Sequence, residues 1–329
     1  MSNHDEIFDF TIIGGGPTGL YGAFYAGLRQ MKTKIIDSLP QLGGQLSALY
    51  PEKYIYDVAG FPRVLAKELV NDFSAQALQY QPTVCLNEKV TVLKQVKDNL
   101  LELTTDKGVH YSKTVLIAAG VGAFLPRKMD VPRIDELVDK GVQYFVTDTS
   151  GFAGKRIVIV GGGDSAFDWA LAMGPTAARC IQIHRSDKFR AHEDTVQKVL
   201  ESPVDFKAFY ELKEVHGDDH LEAVTIFDNR SGVEQIIECD NLLLNIGFLT
   251  NLGPIKEWGI SLEKNAILVN QMMETSMQGV YAAGDICTFP GKLKLIATGA
   301  GEAGTAANFA KSSIDPTSRA FPGHSSEMK

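Results

Sequence analysis

The chain contains two glycine-rich turns, and each turn directly follows an apolar run. The first turn is GGGPTG at 14–19, between an apolar run at 8–13 and an amphipathic stretch at 20–29. The second is GGGDSA at 161–166, between the run at 157–160 and a stretch that extends toward Met173. A strand, a glycine-rich turn and a helix in this order form the βαβ unit that binds dinucleotides. The sequence therefore predicts an α/β fold of two Rossmann-like, three-layer dinucleotide-binding domains.

In the first unit, each glycine of the pattern has its own task. The first lets the chain turn tightly, the second lets the backbone approach a pyrophosphate, and the third lets helix and strand pack closely. The helix that follows presents its N-terminus to the negative charge. The next apolar run ends in Asp37, close to the spacing at which an acid meets an adenine ribose. A purely structural glycine-rich loop remains the alternative. The candidate contacts in this unit are Gly14, Gly16, Pro17, Thr18, Gly19 and Asp37.

The second unit has the pattern G-x-G-x-x-A and a different end to its second strand. The run 180–183 ends in His184-Arg185, with Arg190 a few residues later. An acid at this place would accept a hydrogen bond from a ribose 2′-hydroxyl, whereas arginines complement a 2′-phosphate. We therefore expect FAD in the first unit and NADPH in the second. A solvated basic edge, partly neutralised by Asp187 and Glu193, is the alternative. The candidate NADPH contacts are Gly161, Gly163, Asp164, Ser165, His184, Arg185 and Arg190.

Length, charge and cysteine spacing exclude several other classes of protein. The chain has 329 residues, enough for two domains, and a formal net charge of −8, which argues against nucleic acid as the main partner. No apolar stretch approaches the roughly 18 residues of a membrane span, and no signal peptide is evident, so we expect a cytoplasmic protein without a membrane partner. The four cysteines form no C-x-x-C pair, which predicts neither a metal site nor a local dithiol.

Several motifs together resemble thioredoxin reductase and its relatives. They are the first turn, LGGQL at 42–46, the second turn with HRSDKFR at 184–190, and TSMQGVYAAGD at 275–285. The resemblance covers nearly the whole chain and implies an FAD domain built from both chain ends around an inserted NADPH domain. The runs LIAAG (116–120) and NIGF (245–248) are similar to the crossings between such domains. The expected division is FAD domain, first part, at 1–120; NADPH domain at 121–248; and FAD domain, second part, with a flavin-covering tail at 249–329.

One departure from thioredoxin reductase concerns its redox-active dithiol. Where those enzymes carry C-A-T-C, this chain has Tyr144 and Thr147 at the cysteine positions. Dithiol exchange cannot run without a thiolate, so electrons must leave from the flavin itself. The branch that lacks these cysteines is the thioredoxin-reductase-like ferredoxin (flavodoxin)–NADP reductases, which this chain resembles closely. The resemblance implies hydride transfer from NADPH to FAD, one-electron transfers to ferredoxin or flavodoxin, and a homodimer.

The resemblance also implies roles for individual residues. Tyr50 would stack on the isoalloxazine beside Gln45, Asp285 would bind the ribityl chain, and His324 from a partner subunit would cover the other flavin face. These stacking residues, Tyr50 and His324, are the catalytic candidates. A disordered tail is the alternative for His324, and an ordinary turn for Asp285. The remaining FAD candidates are Asp57, Val90, Phe124, Ile296, Ala297, Thr298 and Ser325.

The sequence is compatible with two rival functions and suggests two further hypotheses. The rivals are an NADPH-dependent flavin oxidoreductase acting on a small molecule such as a quinone, and a non-catalytic FAD/NADP sensor. Glycines at both crossings suggest hinges near 120–122 and Gly247 for a rotation of one domain against the other. Basic residues that could meet an acidic partner, unless they are only scattered solvating charges, are Arg63, Lys67, Lys292 and Lys294.

Overall fold

The computed structural model describes residues 6–146 and 148–319, apart from the side chains of 123–126 and 248–250. The chain divides into two compact units. The first comprises the chain up to Ala123 and from Thr250 onward, and the second is Phe124–Leu249. Each unit has its own sheet and its own core. None of the described helices is long and apolar enough to span a membrane.

The helices and strands are numbered along the chain. The helices are α1 (Pro17–Leu28), α2 (Gln45–Ala48), α3 (Ala66–Leu78), α4 (Asp164–Met173), α5 (Glu193–Leu200) and α6 (Ile296–Ile314). The strands up to the second glycine-rich turn are β1 (Ile7–Ile13), β2 (Thr33–Ile36), β3 (Tyr54–Ile55), β4 (Val64–Leu65), β5 (Thr83–Cys85), β6 (Val90–Lys97), β7 (Leu100–Thr105), β8 (Val109–Ile117), β9 (Ala123–Pro126), β10 (Val142–Gln143) and β11 (Arg156–Val160). The later strands are β12 (Arg179–His184), β13 (Asp205–Ala208), β14 (Tyr210–His216), β15 (Ala223–Asp228), β16 (Glu234–Glu238), β17 (Asn241–Leu244), β18 (Phe248–Asn251), β19 (Leu262–Glu263), β20 (Ala266–Leu268), β21 (Val280–Ala282) and β22 (Cys287–Thr288).

The first unit is built on a seven-stranded sheet with β1 near its centre. Strands β5, β2, β1 and β8 run parallel in that order. Strand β8 also pairs with β21, in parallel, and with β7, in antiparallel orientation. Strand β6 pairs with β7 and forms the edge of the sheet. Phe10 and Ile12 of β1 are fully buried, because a central parallel strand is covered on both faces. Helix α1 packs against both α3 and α6.

The second unit repeats the central arrangement on a smaller scale. A five-stranded parallel sheet has the order β10-β17-β11-β12-β13, and a separate antiparallel sheet has the order β14-β15-β16. Val158, Ile181 and Leu242 lie on three neighbouring strands of the parallel sheet and are buried in the core of this unit. The second unit therefore has a parallel sheet and a core of its own, together with a separate antiparallel sheet.

Candidate dinucleotide sites

The register of the first sheet places four chain segments at one edge. Ile13 pairs with both Ile36 and Ile117, and Ile117 pairs with Ala282. Because these parallel strands end together, the first glycine-rich turn, Asp37, residues 118–120 and the Gly284-Asp285 turn all emerge on the same side. This carboxyl edge is where open α/β sheets bind their ligands.

Two glycines of the first turn are required by close backbone packing. A Cβ atom on Gly14 would lie 2.4 Å from the carbonyl oxygen of Ala118, and one on Gly19 would lie 1.9 Å from the carbonyl oxygen of Gly14. Gly16 differs, because its Cβ would meet only the Cα of Gly44, at 3.8 Å. The backbone at Gly16 is therefore open to a ligand, which fits the approach of a pyrophosphate.

The carboxylate of Asp37 is buried and fixed by backbone groups. The residue is 7% exposed; one carboxylate oxygen accepts a hydrogen bond from the N–H of Gly15 and the other from the N–H of Leu39 at 2.8 Å. Burial raises the pKa of Asp37, while the two N–H groups act in the opposite direction. Each oxygen keeps a second lone pair, so Asp37 can still accept from a ribose hydroxyl while it holds the turn.

Three of the residues assigned to the flavin end lie close together. Burial raises the pKa of Tyr50 to about 12, and the nearby charges of Asp285 and Asp57 act in the same direction. Tyr50 also packs, like Ile296, against an apolar cluster that includes Leu46. The structure thus brings Tyr50, Asp57, Asp285 and the start of α6 to one place.

Thr18 connects the first turn to this group. A Cβ on Gly284 would lie 2.8 Å from the Thr18 hydroxyl oxygen, and one on Gly299 would lie 2.5 Å from it. Gln45, the first residue of α2, has its Nε2 3.3 Å from where a Cβ of Gly120 would stand. The glycine turn, α2, the Gly284-Asp285 turn and α6 therefore form one continuous cradle.

Asp285 offers this cradle a half-buried carboxylate. Burial raises its pKa, and the charges of Lys294 and Lys292 lower it in turn. No hydrogen-bond donor among the described residues reaches its oxygens. A carboxylate placed in this way fits a ligand that presents hydroxyl groups, as a ribityl chain does.

The first turn of α6 is capped by its own side chain. The hydroxyl of Thr298 accepts from the N–H of Leu295 at 3.3 Å and donates to the carbonyl of Leu293 at 2.9 Å. The N–H groups of Ile296 and Ala297 belong to a first turn that has no intrahelical acceptors. This helix start is suited to a ligand carbonyl that gains negative charge.

Lys292 is not the surface residue that the sequence suggested. Its side chain is 5% exposed and forms a two-oxygen ion pair with Glu302, whose side chain is 8% exposed. Glu302 also accepts from the N–H of Gly284 at 2.8 Å, so the pair holds the Gly284-Asp285 turn. Glu302 was not among the predicted site residues. The sequence did contain a signal for it, because a carboxylate within an Ala/Gly-rich helix, if buried, requires a charged or hydrogen-bonding partner.

The second turn repeats the packing of the first with one substitution. A Cβ on Gly161 would lie 2.4 Å from the carbonyl oxygen of Asn245, whereas one on Gly163 would meet nothing within 4 Å. Ala166 takes the position of the third glycine. Asp164 begins α4, and its carboxylate accepts from the N–H of His192 at 3.1 Å. The open backbone at Gly163 fits a pyrophosphate as Gly16 does.

The basic strand end of the second unit folds back over its turn. The N–H of Arg190 donates to the carbonyl of Gly162 at 2.8 Å, and the His184 ring lies 2.4 Å from where a Cβ of Gly162 would stand. Burial lowers the pKa of His184. Arg185 and Arg190 are exposed, and the Asn229 amide donates to the Arg185 carbonyl at 2.8 Å. Asn229 was not predicted from sequence, because it lies on the distant β15–β16 turn.

The cysteines offer no redox-active pair. All four are free thiols. Burial raises the pKa of Cys180, Cys239 and Cys287 to about 12, so these three stay protonated near neutral pH. Tyr144 packs against the core of the second unit, and Thr147 lies outside the described residues. The described residues form no cluster that could hold a metal ion.

Four further residues were predicted to contact the flavin, namely Val90, Phe124, His324 and Ser325. Val90 is buried in the core of the first unit. Phe124 lies on β9, and its side chain, like the whole of His324 and Ser325, lies outside the described residues.

Comparison with known proteins agrees with this arrangement. The family described as pyridine nucleotide-disulphide oxidoreductase matches residues 8–308. The chain belongs to this family. Within it, the chain is 55% identical to a ferredoxin–NADP reductase of Shouchella clausii over 100% of both chains, and 53% identical to one of Halalkalibacterium halodurans over 100% of both. The resemblance inferred from the motifs is confirmed.

Solved structures show the same fold with less sequence similarity. A thioredoxin reductase of T. acidophilum is 26% identical, with a TM-score of 0.83 over 94% of this chain and 99% of that one. A thioredoxin reductase of Lactococcus lactis is 25% identical, with a TM-score of 0.80 over 92% and 97%. The predicted thioredoxin-reductase-like α/β fold is confirmed.

Proposed function

We propose that the chain is a ferredoxin–NADP reductase that uses FAD and NADPH. The observation that carries the proposal is full-length identity of 55% and 53% with two relatives of that name, joined to a fold in which no cysteine pair can take over the electrons. Ferredoxin is the acceptor that those names give, and flavodoxin is a second acceptor for the same site. The domain assignments and site residues below belong to the proposal.

In the first unit, the cradle around Gly16 would hold FAD. Gly14 and Gly19 shape the turn, Asp37 accepts from the adenine ribose, and the open backbone at Gly16 meets the pyrophosphate. Asp285 would accept from the ribityl chain, and the start of α6 would stabilise negative charge at the carbonyl end of the ring system. Tyr50 would supply an aromatic face for the ring system, and Gln45 and Asp57 would be close to it.

In the second unit, the turn at Gly161 would hold NADPH. Gly163 leaves room for the pyrophosphate at the start of α4, while Arg185 and Arg190 pair with the 2′-phosphate. Both arginines are exposed, so their side chains are free to swing toward a ligand. His184, kept neutral by burial, packs on the turn and donates to the carbonyl of Lys188.

Hydride transfer needs positioning more than acid or base catalysis. The bound cofactors supply the redox chemistry, with a two-electron donor on one side and a one-electron acceptor on the other. Each unit would position its own cofactor, and the N–H groups at the start of α6 would stabilise negative charge at the carbonyl end of the flavin. The buried pair Lys292–Glu302 keeps the Gly284-Asp285 turn in place for this task.

Four further expectations from the sequence belong to the same proposal. They are the homodimer, the covering of the flavin by His324 with Ser325, the hinges near 120–122 and Gly247, and the cytoplasmic location. The homodimer would be tested by mass measurement in solution, and the tail by the flavin spectrum after removal of residues 320–329.

Anaerobic titration with NADPH, followed by turnover with purified ferredoxin, tests the function. We expect NADPH to bleach the flavin, NADH to do so far less efficiently, and ferredoxin to stimulate NADPH-dependent reduction of cytochrome c. A flavin that NADPH does not bleach would identify a non-catalytic sensor. Bleaching without stimulation by ferredoxin or flavodoxin would favour an oxidoreductase that acts on a small molecule such as a quinone.

A further inference from the structure

An exposed apolar face borders the residues proposed to hold the flavin. The hairpin formed by β3 and β4 alternates, with Ile55 buried and its neighbours Tyr54 and Tyr56 exposed. Tyr56 is 65% exposed and Phe61, on the connecting turn, is 40% exposed. Such large aromatic side chains are normally buried, so a group of them on one short segment marks an interaction surface.

A second segment brings further apolar side chains to the same place. Leu293 is 62% exposed and Leu295 is 38% exposed. The next residue, Ile296, packs against the cluster that lies under the hairpin and includes Ile55 and Val64. Both segments therefore border one apolar cluster, on which Tyr50 also packs. We call Tyr54, Tyr56, Phe61, Arg63, Leu293, Lys294 and Leu295 the aromatic–basic face.

The two charged residues of this face, Arg63 and Lys294, are basic although the protein as a whole is acidic, and Asp57, exposed beside Tyr56, lies at its border. The chain carries a net charge of −8. Arg63 lies over the Tyr54 ring, 4.8 Å from its centroid, and Lys294 stands exposed between Leu293 and Leu295. No carboxylate among the described residues lies within ion-pair distance of either. Aromatic side chains and arginine, which this face presents, are enriched at protein interfaces.

We propose that the aromatic–basic face is the docking surface for a small acidic one-electron carrier protein, an inference that rests on the proposed function. The basic groups attract and orient the acidic partner, and the aromatic groups provide the desolvated contact once it has arrived. Because the face borders Tyr50 and the start of α6, a carrier seated there is next to the proposed flavin site. The surface differs from the purely basic one suggested by the sequence, since Lys292 is buried in its ion pair with Glu302 and Lys67 is bonded to Glu52.

Two variants of the full-length, FAD-loaded enzyme test the proposal. One replaces two aromatic groups, Tyr56→Ser with Phe61→Ser, and the other reverses one charge, Arg63→Glu. Matched controls far from the face in sequence are Val233→Ser with Ile236→Ser, which are 57% and 73% exposed in the native chain, and Lys264→Glu, whose native side chain is 89% exposed. Each protein is assayed with NADPH against ferredoxin, over a range of salt concentrations, and against ferricyanide.

The aromatic variant should raise the KM for ferredoxin about tenfold or more, which corresponds to about 1.4 kcal/mol. The charge variant should lower kcat/KM for ferredoxin at low salt and flatten its dependence on salt. Neither should change turnover with ferricyanide, FAD content or the KM for NADPH, and the controls should behave like the native enzyme.

Three other results would overturn the proposal. If the native enzyme reduces ferredoxin and both variants do so equally well, the face is not the docking surface. If the variants instead alter the mass of the protein in solution, its occupant is a second copy of the chain. If removal of residues 320–329 exposes the face to labelling and abolishes the effect of the variants, its occupant is the chain's own terminus. Failure of the proposed function is distinguishable, because then the native enzyme itself would reduce ferricyanide but neither ferredoxin nor flavodoxin.

Discussion

The two glycine-rich turns of this chain share their backbone packing but differ in the residue that ends the neighbouring strand. In both turns, the first glycine lies against a carbonyl oxygen at the end of an adjacent parallel strand. A Cβ on Gly14 or on Gly161 would stand at the same separation, 2.4 Å, from that oxygen. In both, the second pattern glycine, Gly16 or Gly163, leaves the backbone open. The two turns therefore share the tightly packed first glycine and the open second glycine that a pyrophosphate-binding turn requires.

The difference lies at the ends of β2 and β12. The middle glycine of each turn faces that strand end: Gly15 faces the carboxylate of Asp37, and Gly162 faces the ring of His184. A buried carboxylate accepts hydrogen bonds, whereas the neutral ring is followed by two exposed arginines that can only donate. In the proposed assignment, one scaffold serves two ligands, and these few side chains distinguish a ribose hydroxyl from a phosphate.

The third position of the glycine pattern, Gly19 in the first turn and Ala166 in the second, should give the largest difference in stability between substitutions in the two turns. Gly19→Ala places a Cβ 1.9 Å from the Gly14 carbonyl oxygen, a clash with backbone that cannot move away. We expect a loss of about 3 kcal/mol or more in the free energy of unfolding, together with loss of bound FAD. The reciprocal change, Ala166→Gly, should cost only about 1 kcal/mol, through the helix preference of alanine.

Chemical unfolding and the flavin absorbance of the purified variants measure both effects. The Gly19→Ala protein should be poor in flavin, whereas the Ala166→Gly protein should keep its flavin and lose some stability. Equal effects from the two substitutions would show that the two turns do not differ in packing at this position.

The sequence predicted the fold because its strongest signals are local. Each glycine turn lies between a buried strand and a helix, and the parallel register then brings Asp37 and Asp285 to the same edge. The sequence could not predict the ion pair of Lys292 and Glu302, since a lysine in a loop is usually solvated and only the packing of α6 shows where it points. Nor could it show that Asp37 uses both oxygens to hold backbone N–H groups.

A double-mutant cycle would test the contact between Gly162 and His184. Gly162→Ala places a methyl group 2.4 Å from the ring nitrogen, which should cost about 1–3 kcal/mol of unfolding free energy. His184→Ala removes the obstacle, so the double variant should recover most of that loss. A coupling energy near zero between the two substitutions, measured by denaturant unfolding, would place the ring away from the turn.

In the proposed assignment, the two arginines that follow β12 bind the 2′-phosphate of NADPH. Arg185→Ser and Arg190→Ser should each raise the KM for NADPH about tenfold, because each removes a charged hydrogen bond worth about 1.5 kcal/mol, and should leave the KM for NADH unchanged. Arg179→Ser is the matched control, since Arg179 lies at the opposite end of the same strand and pairs with Asp205. An equal rise in KM for both nucleotides would contradict the assignment of the phosphate to these residues.

The contributions of His184 and Asp37 to the free energy of unfolding should also change with pH in opposite directions. Burial lowers the pKa of His184 from 6.5, so the stability that its neutral form contributes is complete above pH 6.5 and is lost as the pH falls toward the lower folded pKa. Burial raises the pKa of Asp37 from 3.8, so the stability contributed by its protonated form is complete below pH 3.8 and is lost as the pH rises through the folded pKa. The half-exposed ring of His184 is screened by solvent, which limits its effect to a few tenths of a kcal/mol.

His184→Gln and Asp37→Asn isolate these contributions, because both keep a polar side chain that does not titrate. Relative to the native chain, the His184 variant should gain stability as the pH falls from 7 toward 5. The Asp37 variant should gain stability as the pH rises from about 4, where the free carboxyl begins to ionise. Denaturant unfolding at a series of pH values would measure both slopes. If the stability difference between variant and native chain changed with pH in the same direction for both variants, burial would not set the pKa values of His184 and Asp37.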